Sequence, residues 1–170
     1  MCYTLIMLVS YKPRLYLETT IFNFYSYGKA MQKQQDTQAL FERIDAGEYQ
    51  VCTSKYAVDE LENDRPERYE KMYALVRSYD MVEIPRSDQA DRLADIYMAR
   101  GIIPKKYPDD ACQIALAAVM GLDCVVSWNM GHIVKTKAMI GTGLINKREG
   151  YAQVCLATPR EILEYDTRAD

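Results

Sequence analysis

Oxygen-bearing side chains recur at four separated points of this chain. Glu18 closes the run Leu15-Tyr-Leu-Glu-Thr-Thr, Glu60 ends Thr53-Ser-Lys-Tyr-Ala-Val-Asp-Glu, Asp109 and Asp110 open Asp-Asp-Ala-Cys-Gln-Ile-Ala, and Asn129 ends Val125-Val-Ser-Trp-Asn. Carboxylate and amide oxygens are the ligands of hard divalent cations such as Mg²⁺ or Mn²⁺, which keep much of their water and need few carboxylates. An ion held there can activate water and offset the charge of a phosphodiester undergoing in-line displacement. Taken singly, each residue also has a plainer reading. An acid beside a helix N-terminus is favourable in its own right, so Asp109 or Asp110 can be a cap. Asn129 suits a turn. Glu60 lies opposite the Val58/Leu61 stripe, which fits solvent as well as a cleft, and Glu62 is its rival. The combination carries the signal.

Five short apolar runs are expected as strands: Arg14–Leu17, Tyr49–Thr53, Met81–Ile84, Cys124–Trp128 and Ala152–Ala157. Their continuity suits strands covered on both faces. Helix-like segments lie between them: Gln32–Ala46, Lys55–Asn63, Pro66–Ser78, Ser87–Arg100 and a nearly apolar, hence buried, Asp109–Met120. Thr158-Pro-Arg-Glu has the form of a capping box with proline at the first helical position. Gly141–Tyr151 is expected as a long loop. Strands alternating with helices predict an α/β fold with a parallel sheet, whose sites lie at the carboxyl ends of the strands. Glu18, Asp110 and Asn129 all fall at that edge.

Composition narrows the chemistry. The chain has 170 residues, 24 acidic and 21 basic, a net charge of −3 and one histidine, His132. That length fits one domain, and the charge argues against coating nucleic acid by bulk attraction. A single histidine excludes zinc sites built on two or three imidazoles. Five scattered cysteines, with no C-x-x-C pair, read as reduced core residues of a cytoplasmic protein. The apolar stretch at the start is too short to span a bilayer and lacks the basic flank of a secretory signal. Residues 1–13 are therefore expected to be an extension or tail, with Met7 an alternative start, and residues 14–170 a single domain.

Leu-Glu-Thr-Thr, Thr53-Ser-Lys-Tyr-Ala-Val-Asp-Glu, Asp110-Ala-Cys-Gln-Ile-Ala-Leu-Ala and Ser127-Trp-Asn, in this order and spacing, resemble the PIN-domain family, including the VapC-like toxin ribonucleases. The likeness runs from about Arg14 to Tyr165. It implies a three-layer α/β/α fold around a central parallel sheet of about five strands. It also implies Mg²⁺- or Mn²⁺-dependent cleavage of RNA, as the toxin of a toxin–antitoxin pair. By that resemblance Glu18, Glu60 and Asp110 are metal ligands and Asn129 completes the catalytic set. Thr20 supports the first acid, and Ser54 is the strand-end serine preceding Glu60. A homodimer and a cognate antitoxin covering the cleft are implied partners. Two positions depart from the family pattern: Glu18 stands where Asp is usual, and Asn129 where Asp is common. On these rests the alternative, a PIN-like domain that binds RNA or protein without catalysis.

An RNA substrate needs cations near the acids. Lys105 and Lys106 precede Asp110, and Lys135 and Lys137, then Lys147 and Arg148, follow Asn129. Each cluster can equally be a solvated face. Trp128, Tyr25, Tyr27 and Tyr107 are candidates to stack bases, and His132 is near enough to Asn129 to support it or simply to pack. Neither a G-x-G-x-x-G nor a P-loop pattern occurs, and Glu18-Thr-Thr lacks the aspartate of an aspartyl-phosphate enzyme.

Overall fold

The computed structural model describes residues 11–27, 29–64 and 66–167. Up to residue 10, the expected N-terminal extension lies outside the described residues. Elements run in the order β1 (Arg14–Leu17), α1 (Thr19–Tyr27), α2 (Met31–Asp45), β2 (Gln50–Ser54), α3 (Lys55–Asp64), α4 (Pro66–Ser78), β3 (Val82–Ile84), α5 (Asp88–Ala99), α6 (Pro108–Val119), β4 (Cys124–Val126), α7 (Thr136–Glu149), β5 (Cys155–Ala157) and α8 (Pro159–Thr167). The strands form one sheet in the order β3-β2-β1-β4-β5, parallel throughout, with Tyr16 opposite both Cys52 and Val125. This is the expected α/β fold.

Strand alternation explains the two cores. Tyr16, Val125 and Leu156 point to one face, where Leu93, Tyr97, Ile114 and Ala138 of α5, α6 and α7 cover them. Leu15, Leu17, Cys124 and Val126 point to the other, packed on Ile21, Phe41, Val58 and Met72 of α1 to α4. Burial on both sides accounts for the unbroken apolar runs. Capping also follows the local sequence. The Ser87 hydroxyl accepts the Ala90 N–H at the head of α5, and Glu161 accepts the N–H and hydroxyl of Thr158 at the head of α8.

Two segments depart from expectation. Thr19–Tyr27 is helical although its β-branched and aromatic residues are indifferent helix formers. Burial of Thr19, Ile21 and Phe22 supplies what propensity does not. Most of the expected loop Gly141–Tyr151 is instead the second half of α7. Gly141 is there for contact rather than flexibility, because a Cβ at that position would come within 2.9 Å of Ile102 Cγ1 and Cγ2. The helix ends at Gly150, whose φ of +80° is the left-handed conformation that favours glycine.

Among the described residues the cysteines are free thiols: Cys52 and Cys124 are buried, Cys112 is half-buried, and Cys155 is exposed on the edge strand rather than in the core. No helix among the described residues is long and apolar enough to cross a membrane.

Candidate active site

The carboxyl ends of the two central strands, β1 and β4, make the floor of the site. Glu18 follows β1 directly, and its backbone N–H still donates to Val126 in β4 (3.1 Å). The Glu18 side chain is 1% exposed. Its Oε2 receives three donors: the Thr20 hydroxyl (2.5 Å), the Thr20 backbone N–H (3.0 Å) and the Ser127 hydroxyl (2.7 Å). Thr20 in turn accepts the Trp128 backbone N–H at 2.8 Å.

Glu60 reaches the same rim from α3. Its Oε2 accepts the Thr19 hydroxyl and the Gln113 amide, both at 2.9 Å. Glu62 is exposed, so the geometry separates the two rivals. Gln113 is held from below by Tyr16, whose hydroxyl lies 3.0 Å from Gln113 Oε1 and 2.7 Å from Ser54 Oγ. Ser54 is thus buried beneath the site and bonds Tyr16 rather than Glu60.

Asp110 stands in the first turn of α6, 7% exposed. Its Oδ2 accepts the Asn129 side-chain amide at 3.1 Å and lies 3.1 Å from His132 Nδ1, within hydrogen-bond distance. Asn129 Oδ1 accepts the His132 backbone N–H, and the His132 ring stacks on Tyr107 with centroids 3.6 Å apart. Burial, together with Lys135 and Lys106, lowers the His132 pKa. The helix N-terminus favours an anion at Asp110, but the surroundings oppose it.

Burial is the main force raising all three carboxyls to about 7. Repulsion adds to it: Asp110 raises Glu18, Glu18 raises Glu60, Glu60 raises Asp110, and Asp109 acts on the last two. Each group engages one oxygen with protein donors, while its second oxygen takes none among the described residues. Among the described residues no buried side-chain oxygen or nitrogen lacks a partner, so those second oxygens are not sealed from solvent.

This donor set fits a hard divalent cation chemically: crowded oxygens whose ionised forms need a counter-charge. Among the described residues no three His, Cys, Asp or Glu side chains are gathered as a ready-made cage. Mg²⁺ is characteristically held by one or two carboxylates together with water and phosphate oxygens, and the site offers carboxylates in that manner.

The other residues singled out from sequence divide. Lys106 lies over the Tyr107 ring at 4.8 Å, and with Lys135 it is close enough to act on His132. Lys105 and Lys137 are exposed, and among the described residues no hydrogen bond or ion pair joins them to Glu18, Glu60 or Asp110. Trp128 is no stacking platform: it is 8% exposed, and its indole N–H donates to the Thr37 hydroxyl at 2.8 Å. Tyr25 likewise packs on Phe41, with centroids 4.7 Å apart. Sequence reasoning missed Thr19, Gln113 and Ser127. Gln113 had a readable signal, since it sits three positions after Asp110 on the same helical face. Thr19 had none until Thr19–Tyr27 is known to be a helix.

No protein-family model matches the chain, and no curated protein matches it. Among solved structures, the chain is similar to VapC20 of Mycobacterium tuberculosis, described as a toxin that cleaves the sarcin–ricin loop. The two are 15% identical, with a TM-score of 0.48 over 65% of this chain and 86% of that one.

Proposed function

We propose that this chain is a PIN-like, Mg²⁺- or Mn²⁺-dependent endoribonuclease, acting as the toxin of a toxin–antitoxin pair in the cytoplasm. The observation that carries the reading is that Glu18, Glu60 and Asp110, from distant points of the chain, come to the carboxyl edge of the sheet, each aimed by hydrogen bonds to one of its two oxygens and each acting on another's charge. A protein does not bury mutually repelling acids for stability; functional sites are where such groups collect. The sequence motifs around the same residues support the reading independently.

In this proposal Glu18, Asp110 and Glu60, together with water, would hold the ion, and the ion would supply a polarised water and a counter-charge for the phosphate. Thr20 and Ser127 aim Glu18 by donating to its Oε2. Thr19 and Gln113 do the same for Glu60. Asn129 and His132 orient Asp110. Lys106 and Lys135, with Lys105 and Lys137 beyond them, draw the phosphate backbone toward the rim. An antitoxin and a second copy of the chain are the partners the proposal carries.

The test is RNA cleavage by purified protein in Mg²⁺ or Mn²⁺. Activity is expected to vanish with EDTA and in Asp110→Asn, which keeps an oxygen to accept from Asn129 and His132. Wild type and Asp110→Asn behaving alike across several RNAs and both metals would overturn the reading and leave a non-catalytic RNA- or protein-binding module.

A further inference from the structure

The α1 helix does more than deliver Thr19 and Thr20 to the acids. Thr20, Asn23, Phe24 and Tyr27 recur at the spacing of one helical face. With Lys29, Ala30 and Arg68 they line a single cleft of about 430 Å³, a volume within the range of small-ligand sites. One end of the cleft is therefore Thr20, whose hydroxyl is bonded to Glu18. The other end is Tyr27, seven residues and about 10 Å further along the helix.

Lys29 and Arg68 line this cleft, and Lys71 and Lys33 stand against its aromatic residues from outside the lining. The Arg68 guanidinium lies over the Tyr27 ring at 4.8 Å and the Lys71 ammonium at 4.2 Å. Lys33 lies 5.1 Å from the Phe24 ring. Arg68 Nη1 also donates to Asn23 Oδ1 at 3.2 Å, which leaves the Asn23 amide N–H groups available as donors. None of Arg68, Lys71, Lys29 or Lys33 forms an ion pair with a carboxylate among the described residues. Positive charge without a protein counter-ion, an aromatic ring and an amide in one concave site are what a nucleotide requires: phosphate, base face and base edge.

We propose that the α1–α4 cleft is a nucleotide subsite for single-stranded RNA, seating one nucleotide beside the one whose phosphate lies at Glu18, Glu60 and Asp110. This rests on the ribonuclease reading for where the cut falls. Arg68 and Lys71 take the phosphate, Tyr27 supplies a stacking face, and Asn23 offers its amide to a base acceptor. The strand then crosses the acids between two basic flanks, this cleft on one side and Lys106 with Lys135 on the other.

Binding of a short fluorescein-labelled single-stranded oligoribonucleotide, followed by anisotropy in EDTA, tests the cleft apart from catalysis. Arg68→Ala with Lys71→Ala is expected to weaken binding at least tenfold. Loss of two phosphate contacts should also flatten the dependence of log Kd on log salt by about 1.4. Tyr27→Ala is expected to weaken binding about 5- to 150-fold, the span of one lost base stack, whereas Tyr27→Phe stays within about twofold. Arg92→Ala, exposed on α5, is the control and should bind as wild type. Parallel cleavage assays should show KM rising in the cleft variants with kcat unchanged. Folded Arg68, Lys71 and Tyr27 variants that all bind as wild type would overturn the assignment, as would a cleft that takes an acidic peptide but not RNA. RNA binding that depends on the cleft without any metal-dependent cleavage would instead overturn the nuclease reading and uphold the cleft.

Discussion

Replacing Glu18 with glutamine should stabilise the protein in EDTA while abolishing the proposed RNA cleavage. The Glu18 carboxyl is raised from 4.5 to about 7, chiefly by burial. Its folded pKa lies above its unfolded one, so its contribution to stability is fully present below about pH 4.5 and is lost as pH rises through about 7. At about 1.4 kcal/mol per pH unit, ionised Glu18 costs the fold about 3 kcal/mol at about pH 8. Glutamine has the shape of the protonated acid, and its carbonyl oxygen can accept the bonds from Thr20 and Ser127. Thermal melts in EDTA at about pH 8 should therefore place Glu18→Gln about 6–12 °C above wild type. Near pH 4.5 the two should coincide. Because Asp110 is part of what raises Glu18, the gain should be smaller in an Asp110→Asn background. A variant that melts below wild type at both pH values would refute the reasoning, for it would mean that the ionised hydrogen bonds outweigh burial.

Two further perturbations probe the scaffold. Gly141→Ala forces a Cβ against Ile102 and is expected to lower stability by about 1–3 kcal/mol in urea titrations, although alanine is the better helix former. Thr37→Val leaves the buried Trp128 indole N–H without its acceptor and should cost about 1–3 kcal/mol. Trp128 is the only tryptophan of the chain, so its intrinsic fluorescence follows that unfolding without a label.

The strands and the acids at their ends were readable because parallel strands buried on both faces leave unbroken apolar runs, and a polar residue ending such a run stands out. Glu18 after Leu17 and Asn129 after the β4 run are of this kind. The buried supports were less visible. Tyr16 is large and apolar in pattern, and nothing in Leu-Tyr-Leu marks its hydroxyl as the group that joins Ser54 to Gln113. Helix α1 was hidden because Thr-Thr-Ile-Phe-Asn-Phe-Tyr has poor helical propensity, and it forms through contacts distant in sequence. The Gly141 and Gly143 pair read as a loop for the opposite reason: the glycines lie within a helix, and Gly141 is set by its closeness to Ile102 rather than by a turn. Trp128 at a strand end offered no way to know that Thr37, 91 residues away in sequence, would bury its indole.

The Thr20 hydroxyl donates to Glu18 and accepts from the Trp128 backbone, and its side chain also forms one end of the α1–α4 cleft. Any change at Thr20 therefore alters acid placement and the neighbouring surface together. Arg68 and Lys71 stand on α4 and have no bond to the acids among the described residues. A lineage of such proteins would be free to retune its affinity for the strand through α4 while Thr20 stays fixed, and a designer seeking a new base preference should vary Asn23 instead.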